Sequence, residues 1–360
     1  MKKDDLESIR MQIEEKDRAI VSLLNDRARL SIEAGRIKNR QKMDVYDQVQ
    51  EHRVMETLVR VSNGPLTEPA LRAVYREIFS VSRALQAPLT VACLGPKASF
   101  SHVACLAHFG SQAKISPTKT IGQVFEEVEK GHVSFGVVPV ENSAEGSVRM
   151  TIGRLAATPL KICAEIFVRI SHCLMSAAEH MEQIDRVYSH PQALAQCHAW
   201  LAAHLPQASL LETDSTAGAV LRAREDTHAA AIGSKMAAQT YALPLLAEGI
   251  EDHPSNTTRF LVMGKGASAR TGNDKTSILF GTPHVPGALY TALGVFATAN
   301  INLLRIESYP ARDCPWEYFF FVDFTGHVQD ATVARCLEEM KKRTAFLKVS
   351  GSYPRGEEPA

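Results

Sequence analysis

Apolar positions in residues 4–40 recur every seven residues. Leu6, Ile13, Ile20, Arg27 and Ala34 form one line; Ile9, Lys16, Leu23, Leu30 and Ile37 form a second. A seam sustained over that length predicts one long helix. At about 1.5 Å per residue it spans about 55 Å. A few short neighbours cannot bury such a helix, so pairing with another chain is expected. A second helix is predicted near 47–61 and is broken by Asn63-Gly64-Pro65. A third covers 68–86, where Leu71, Val74, Ile78, Val81 and Leu85 keep helical spacing.

After Ala87-Pro88 the rhythm changes to short apolar runs followed by helical stretches. The runs are 89–94, 135–140, 186–188, 209–211, 229–232 and 259–263. This alternation predicts a mostly parallel, doubly wound α/β architecture. Residues 264–275, rich in Gly, Ser and charge, read as a linker. From Thr276 the order is strand 276–281, helix 287–299, strand 302–309, strand 317–325, helix 330–341 and strand 345–352. That βαββαβ order is a ferredoxin-like plait. The expected domains are therefore 1–87, 88–266 and 275–353.

Composition narrows the function classes. The 360 residues exceed one ordinary core. Lys+Arg and Asp+Glu both total 40, which argues against a polyanionic partner such as nucleic acid. The start, Met1-Lys2-Lys3-Asp4-Asp5, is charged, and no apolar run approaches the roughly 20 residues of a membrane span. Seven scattered cysteines without a CxxC pair read as reduced thiols of a cytoplasmic protein. There is no HExxH, and Cys197-His198 with His204 fits a helix surface better than a metal site. No metal or cofactor is expected. A GxSxG elbow, a GxGxxG and a P-loop are all missing, so hydrolase, dinucleotide and nucleotide readings are weak.

Arg27 stands in the apolar seam, where a guanidinium is costly unless it meets an anion. Lys38 lies eleven residues on, roughly 20° around the helix and about 16 Å along it, so the two side chains reach one ligand. Arg10 is about 25 Å from Arg27 and turned by about 100°; any catalytic role would serve a partner chain's site. Glu51 shares an apolar stripe with Val54 and Leu58, Asp47 lies one turn earlier, and Ser82 and Gln86 follow the line of Ile78. A polar pocket inside a bundle explains this set; so does simple ion pairing of Arg27, Lys16 and Glu51 in a coiled coil.

The ordered residues Ile9-Arg10, Asp17, Asp26-Arg27, Gly35-Arg36-Ile37-Lys38, Val45-Tyr46-Asp47, Glu51 and Ser82-Arg83-Ala84-Leu85-Gln86 resemble the all-helical chorismate mutases. The resemblance covers residues 1–86. It implies that Arg10 (from the partner), Arg27, Lys38, Asp47, Glu51, Ser82 and Gln86 form the catalytic set. Cations would hold the two carboxylates of chorismate, Lys38 and Gln86 would face the ether oxygen, and the acidic residue would take the ring hydroxyl. The residue types suit a unimolecular rearrangement, which needs a folded substrate and fixed donors at the developing charge. Gln50 departs from the family, where an arginine often precedes the glutamate.

In an open α/β sheet, ligands bind beyond the carboxyl ends of the strands, and here those ends carry hydroxyls and amides. The set Gly95-Pro96-Lys97-x-Ser99-Phe100-Ser101-His102, Val138-Pro139-Val140-Glu141-Asn142-Ser143, Ser189-His190-Pro191-Gln192, Ser215-Thr216-Ala217 and Thr258-Arg259-Phe260 is similar to prephenate dehydratases over about 89–265. The similarity implies two lobes like those of periplasmic binding proteins, with prephenate in the cleft. It makes Thr258 the catalytic donor and Glu141, Asn142, Ser189, Gln196 and Asp214 substrate-binding residues. Ser99 and Ser101 are weaker candidates, and His190 and His253 alternative acids. Ala98 replaces a glycine usual in the first motif.

The plait resembles the amino-acid-binding ACT domain through Gly287-Ala288-Leu289-Tyr290 and Glu307-Ser308-Tyr309-Pro310. This implies phenylalanine as effector, held by Gly287, Ala288, Leu289, Glu307 and Ser308 across a dimer interface. Tyr309 stands where relatives carry arginine. The resemblances together imply a dimeric or tetrameric enzyme turning chorismate through prephenate to phenylpyruvate. The rivals are a dehydratase preferring arogenate and a non-catalytic ligand-binding sensor.

Overall fold

The computed structural model describes residues 2–41, 43, 45–310 and 318–358, without the side chains of 2–4. Two compact units are present: 1–89 with 109–114, and 90–108 with 115–360. The expected start, at 317, of the strand 317–325 lies outside the described residues.

The first unit is built on α1 (Lys2–Arg40), α2 (Gln48–Val61) and α3 (Glu68–Gln86). Asp47 caps α2, its carboxylate accepting from the Gln50 amide at 3.0 Å, and satisfies a donor the helix leaves open. Gly35 is buried where α1 meets α3; a Cβ there would lie 2.7 Å from Gln86 Cγ. The amino-terminal part of the α1 seam is uncovered: Leu6, Ile9, Ile13, Ile20 and Leu23 are all exposed.

The second unit runs β1 (Thr90–Leu94), α4 (Phe100–Phe109), β2 (Lys114–Thr118), α5 (Ile121–Lys130), β3 (Phe135–Asn142), β4 (Gly146–Ser147), α6 (Arg149–Ala157) and β5 (Lys161–Arg169). There follow β6 (Cys173–Ser176), β7 (Arg186–Ser189), α7 (Pro191–Gln196), α8 (His198–His204), β8 (Ser209–Glu212), α9 (Thr216–Arg224), β9 (Ala229–Gly233), α10 (Lys235–Tyr241) and β10 (Leu245–Glu248). The chain then returns along β11 (Thr257–Gly264).

The first lobe is a sheet ordered β2-β1-β3-β11-β5, with β4 paired to β3; the second is ordered β10-β6-β9-β7-β8. The expectation of a mostly parallel sheet is corrected. Pairs β1–β3, β7–β8 and β7–β9 are parallel, but β11 runs antiparallel to both β3 and β5, and β6 to both β9 and β10. The cause is the connection: the chain leaves the first lobe after β5, builds the second, and re-enters along β11 instead of through a crossover helix.

The plait consists of β12 (Asp274–Gly281), α11 (Ala288–Thr298), β13 (Leu303–Pro310), β14 (Tyr318–Thr325), α12 (Ala331–Arg343) and β15 (Phe346–Pro354), in the sheet order β13-β14-β12-β15. One face of that sheet packs on its own helices, with Ile278, Phe280, Val295, Phe296 and Phe324 in the core. The other joins the first lobe: Leu279, Phe321 and Tyr353 share one buried cluster with Val138, Leu261 and Met263. The segment expected to be linker is ordered at both ends. Gly264 closes β11, and Lys275 is buried in β12 because its ammonium meets Glu165 at 2.8 Å.

Candidate active sites

In the first unit, Arg27, Lys38, Asp47, Gln50, Glu51, Ser82, Arg83 and Gln86 line a cavity of about 130 Å³. Its base is α3. Ser82 is buried and donates to the Ile78 carbonyl at 2.7 Å, the back-bond of a helical serine. The Arg27 guanidinium donates to the Ser82 hydroxyl and stands 5.6 Å over the Phe79 ring. Lys38 donates to the Val45 carbonyl at 2.9 Å, which holds its ammonium at the pocket. The Gln86 amide nitrogen bonds the Ser82 carbonyl at 3.2 Å, leaving its buried oxygen without a partner.

Arg10 does not join them. It is exposed on α1 and 3.9 Å from Glu7.

Arg83 escaped assignment in the sequence, although it sits within a quoted motif. Its side chain is only 4% exposed; Nη1 lies 2.6 Å from both oxygens of Glu51, and Nη2 donates to the Phe109 carbonyl at 2.6 Å. Burial pushes the Glu51 carboxyl above the usual range, and Arg83 opposes that rise. A guanidinium supplied by another helix therefore lines the same cavity as the neutral Gln50.

In the second unit a larger cavity, of about 500 Å³, is lined by Ser99, Ser101, Asn142, His190, Gln196, Asp214 and Thr258 among others. Thr258 is 8% exposed, and its Oγ1 accepts from Asn142 Nδ2 at 2.8 Å. Asn142 is fixed in turn: its Oδ1 accepts from the amides of Ala144 and Glu145 at 3.0 and 3.1 Å. A hydroxyl whose lone pair is taken by a fixed amide keeps its own proton to donate. Thr258 is among the residues that line the cleft.

The amide chain continues outward. Asn142 Nδ2 also reaches Asn256 Oδ1 at 2.7 Å; Asn256 Nδ2 donates to Gln196 Oε1 at 3.1 Å; Gln196 Nε2 donates to Glu145 at 3.0 Å. His172 Nε2 meets the same Gln196 oxygen at 2.9 Å, and burial holds its pKa below the usual histidine value. Asn256, His172 and Glu145 were missed from sequence. Glu145 and Asn256 lie within two residues of the quoted motifs and His172 far from any, and none carries a spacing signal.

Two candidates are not among the residues lining the cleft. Ser189 is fully buried in the second lobe, where it donates to the Ile232 carbonyl at 2.9 Å, and it does not line the cleft. Glu141 precedes Asn142 on β3, and successive strand residues point to opposite faces. Its carboxylate lies away from the cleft, 3.2 Å from Arg305. His253 is likewise not among the lining residues, and Ser99 turns back to the Leu94 carbonyl at 3.0 Å. Ala98, in place of the family's glycine, adopts φ 66°, a left-handed conformation that glycine takes more easily.

In the plait, Gly287 begins α11 at φ 78°, with Ala288 and Leu289 half-buried behind it. Ser308 is exposed on β13, and the Glu307 carboxylate meets Arg305 Nη2 at 2.6 Å and the Ser147 hydroxyl. Tyr309, where relatives carry arginine, is buried in the cluster shared with the first lobe.

Three family models match in order: chorismate mutase type II over residues 9–87, prephenate dehydratase over 91–268 and the ACT domain over 276–341. The bifunctional chorismate mutase/prephenate dehydratase of Aquifex aeolicus (strain VF5) is 44% identical, covering 98% of each chain. The chain belongs to that bifunctional family. The enzyme of the same name from Stutzerimonas stutzeri is 41% identical, again over 98% of each chain. Among solved structures, a prephenate dehydratase from Arthrobacter aurescens in complex with L-Phe is 33% identical, with TM-score 0.70. It covers 74% of this chain and 90% of its own. This bifunctional enzyme therefore carries a mutase, a dehydratase and an ACT domain.

Proposed function

We propose that the pocket of Arg27, Lys38, Glu51, Ser82 and Gln86 rearranges chorismate to prephenate, and that the Thr258 cleft converts prephenate to phenylpyruvate. The first reaction needs no nucleophile. Arg27 and Lys38 clamp the dianion in its reactive fold, and Lys38 with Gln86 meets the charge growing on the ether oxygen. Asp47 and Glu51 take the ring hydroxyl. The 130 Å³ enclosed by one chain falls below the roughly 300 Å³ of ordinary ligand pockets. A second copy, seated on the bare α1 seam, would complete it and bring its own Arg10. This supports a homodimer or a tetramer built from dimers.

In the second reaction the carbon–carboxylate bond breaks and its electron pair enters the ring. The ring becomes aromatic as the carbon–oxygen bond opens, and hydroxide leaves with that bond's pair. The Thr258 hydroxyl, its lone pair engaged by Asn142, hydrogen-bonds the departing oxygen. Gln196 and Asp214 bind the rest of prephenate. The observation that carries this reading is the Asn142–Thr258 pair on the cleft wall: a donor oriented before substrate arrives.

Phenylalanine is the proposed effector, bound at Gly287, Ala288, Leu289, Glu307 and Ser308 and completed by a second plait. A cytoplasmic setting is the reading taken from the cysteines, of which the six described are all buried. No described helix is long and apolar enough to cross a membrane.

One coupled assay tests the whole: chorismate in, phenylpyruvate out, with and without phenylalanine. Arg27→Ala removes the mutase step and leaves the dehydratase active on supplied prephenate. Thr258→Val does the reverse, with a loss of about 100-fold or more in the dehydratase step. Near-wild-type rates in either variant would refute that residue's role.

A further inference from the structure

The catalytic pair is one rung of a ladder: Thr258 on β11 stands opposite Asn142 on β3. The next rung is Arg259 opposite Glu141, and strand alternation turns it to the other face of the sheet. That face meets the plait. There a third rung, Arg305 on β13 opposite Asp323 on β14, carries the complementary charges. Arg259 Nη1 lies 2.5 Å from Asp323 Oδ2, and Arg305 Nη1 lies 3.2 Å from Glu141 Oε2.

The four charges thus interlock crosswise. They are also anchored. Arg259 Nε donates to Glu165 at 2.8 Å and its Nη2 to the Tyr353 hydroxyl at 3.0 Å. Lys275 meets Glu165 at 2.8 Å, and Ser277 donates to Asp323. Asp323 and the Glu165 side chain are almost wholly buried. Arg305 also holds Glu307 at 2.6 Å, so the quartet touches the proposed effector segment.

We propose that Arg259 and Glu141 are positioning residues, and that the plait, through Asp323 and Arg305, sets the placement of the Asn142–Thr258 rung and so the dehydratase rate. The regulatory half of this proposal rests on the reading of the plait as a phenylalanine sensor; the positioning half does not. Buried ion pairs resist small displacements, because one that loses its partner leaves an uncompensated charge. Whatever pulls on Glu307 is felt at Arg305 and then at Glu141, the immediate neighbour of Asn142. A shift in that rung misdirects the Thr258 hydroxyl, the donor proposed for the departing oxygen.

The test uses the full chain and the variants Glu141→Gln, Tyr353→Phe and Asp323→Asn. Dehydratase kcat and KM on prephenate are referred to the folded fraction from urea unfolding, with the phenylalanine response measured separately. Positioning predicts that kcat per folded molecule falls by about tenfold or more in Asp323→Asn, with KM nearly unchanged. Coupling predicts that the inhibition factor due to phenylalanine shrinks by about fivefold or more in Asp323→Asn and Glu141→Gln. Losses that merely track the folded fraction would overturn positioning, as would wild-type kcat in all folded variants. Should Asp323→Asn not fold, the half-exposed Glu141→Gln and the single-atom Tyr353→Phe decide by the same readings. A wild-type enzyme indifferent to phenylalanine would sink the sensor reading and its coupling alone, leaving basal kcat to judge positioning.

Discussion

At the scale of single residues, the mutase pocket turns on how Glu51 is kept charged. Burial raises its pKa, so it takes up a proton at a higher pH than an ordinary glutamate, and Arg83 restrains that rise. Protonation removes a negative acceptor from the ring-hydroxyl subsite. The acid limb of mutase kcat/KM should therefore lie above the usual carboxylate range. Arg83→Leu should move the limb to still higher pH, and Glu51→Gln should remove it; a pH profile on chorismate reads all three. An unmoved limb in Arg83→Leu would show that the pair does not govern this titration. Much of the pocket was legible, because Arg27, Lys38, Ser82 and Gln86 are polar residues on apolar helical lines. Arg83 was not. Its cost is offset by Glu51 on a different helix and by the carbonyl of Phe109, and neither lies at a spacing that a helix pattern reveals. Glu141 and Asn142 were both assigned to one ligand; Asn142 lines the cleft, whereas the Glu141 carboxylate meets Arg305, and adjacency in a motif does not report which way each side chain turns.

At the scale of elements, α1 shows what a periodic pattern reports and what it leaves out. Its extent, Lys2–Arg40, follows the heptad seam closely. The seam also states that something must cover it, because Leu23 is 68% exposed and Leu30 67%. Leu23→Glu places a charge in that face, where transfer into an apolar contact is unfavourable. The expected result is a smaller particle by light scattering and a large loss of mutase activity, with dehydratase turnover nearly kept. A particle of unchanged mass with full mutase activity would remove α1 as the pairing element. The sheets were less legible. Short apolar runs located β1, β3, β7, β8, β9 and β11, yet the direction of β11 depends on the long chain excursion between Arg169, where β5 ends, and Thr257, where β11 begins. Period and composition contain nothing about that path.

At the scale of the molecule, the three segments of the sequence do not correspond to three independent cores. The helical segment has its own compact unit, but the dehydratase lobes and the plait fall in one. Leu279, Phe319, Phe321 and Tyr353 come from the plait and are buried with Val138, Ile162, Leu261 and Met263 of the first lobe. Each large apolar side chain so buried contributes about 1.5–3 kcal/mol. Four of them are comparable with the whole margin of about 5–15 kcal/mol that holds a domain folded. The same cut would leave Arg259 and Glu165 without Asp323, Lys275 and Tyr353. Ending the chain at Gly272 is therefore not a clean removal of regulation. The expected product is a dehydratase segment that unfolds cooperatively at a markedly lower temperature or precipitates, with turnover lost in the same range. Calorimetry beside a prephenate assay checks this. A truncated chain as heat-stable and as fast as the full enzyme would mean that the shared cluster stabilises neither partner, and that the plait is an appendage to the dehydratase and not part of its structure.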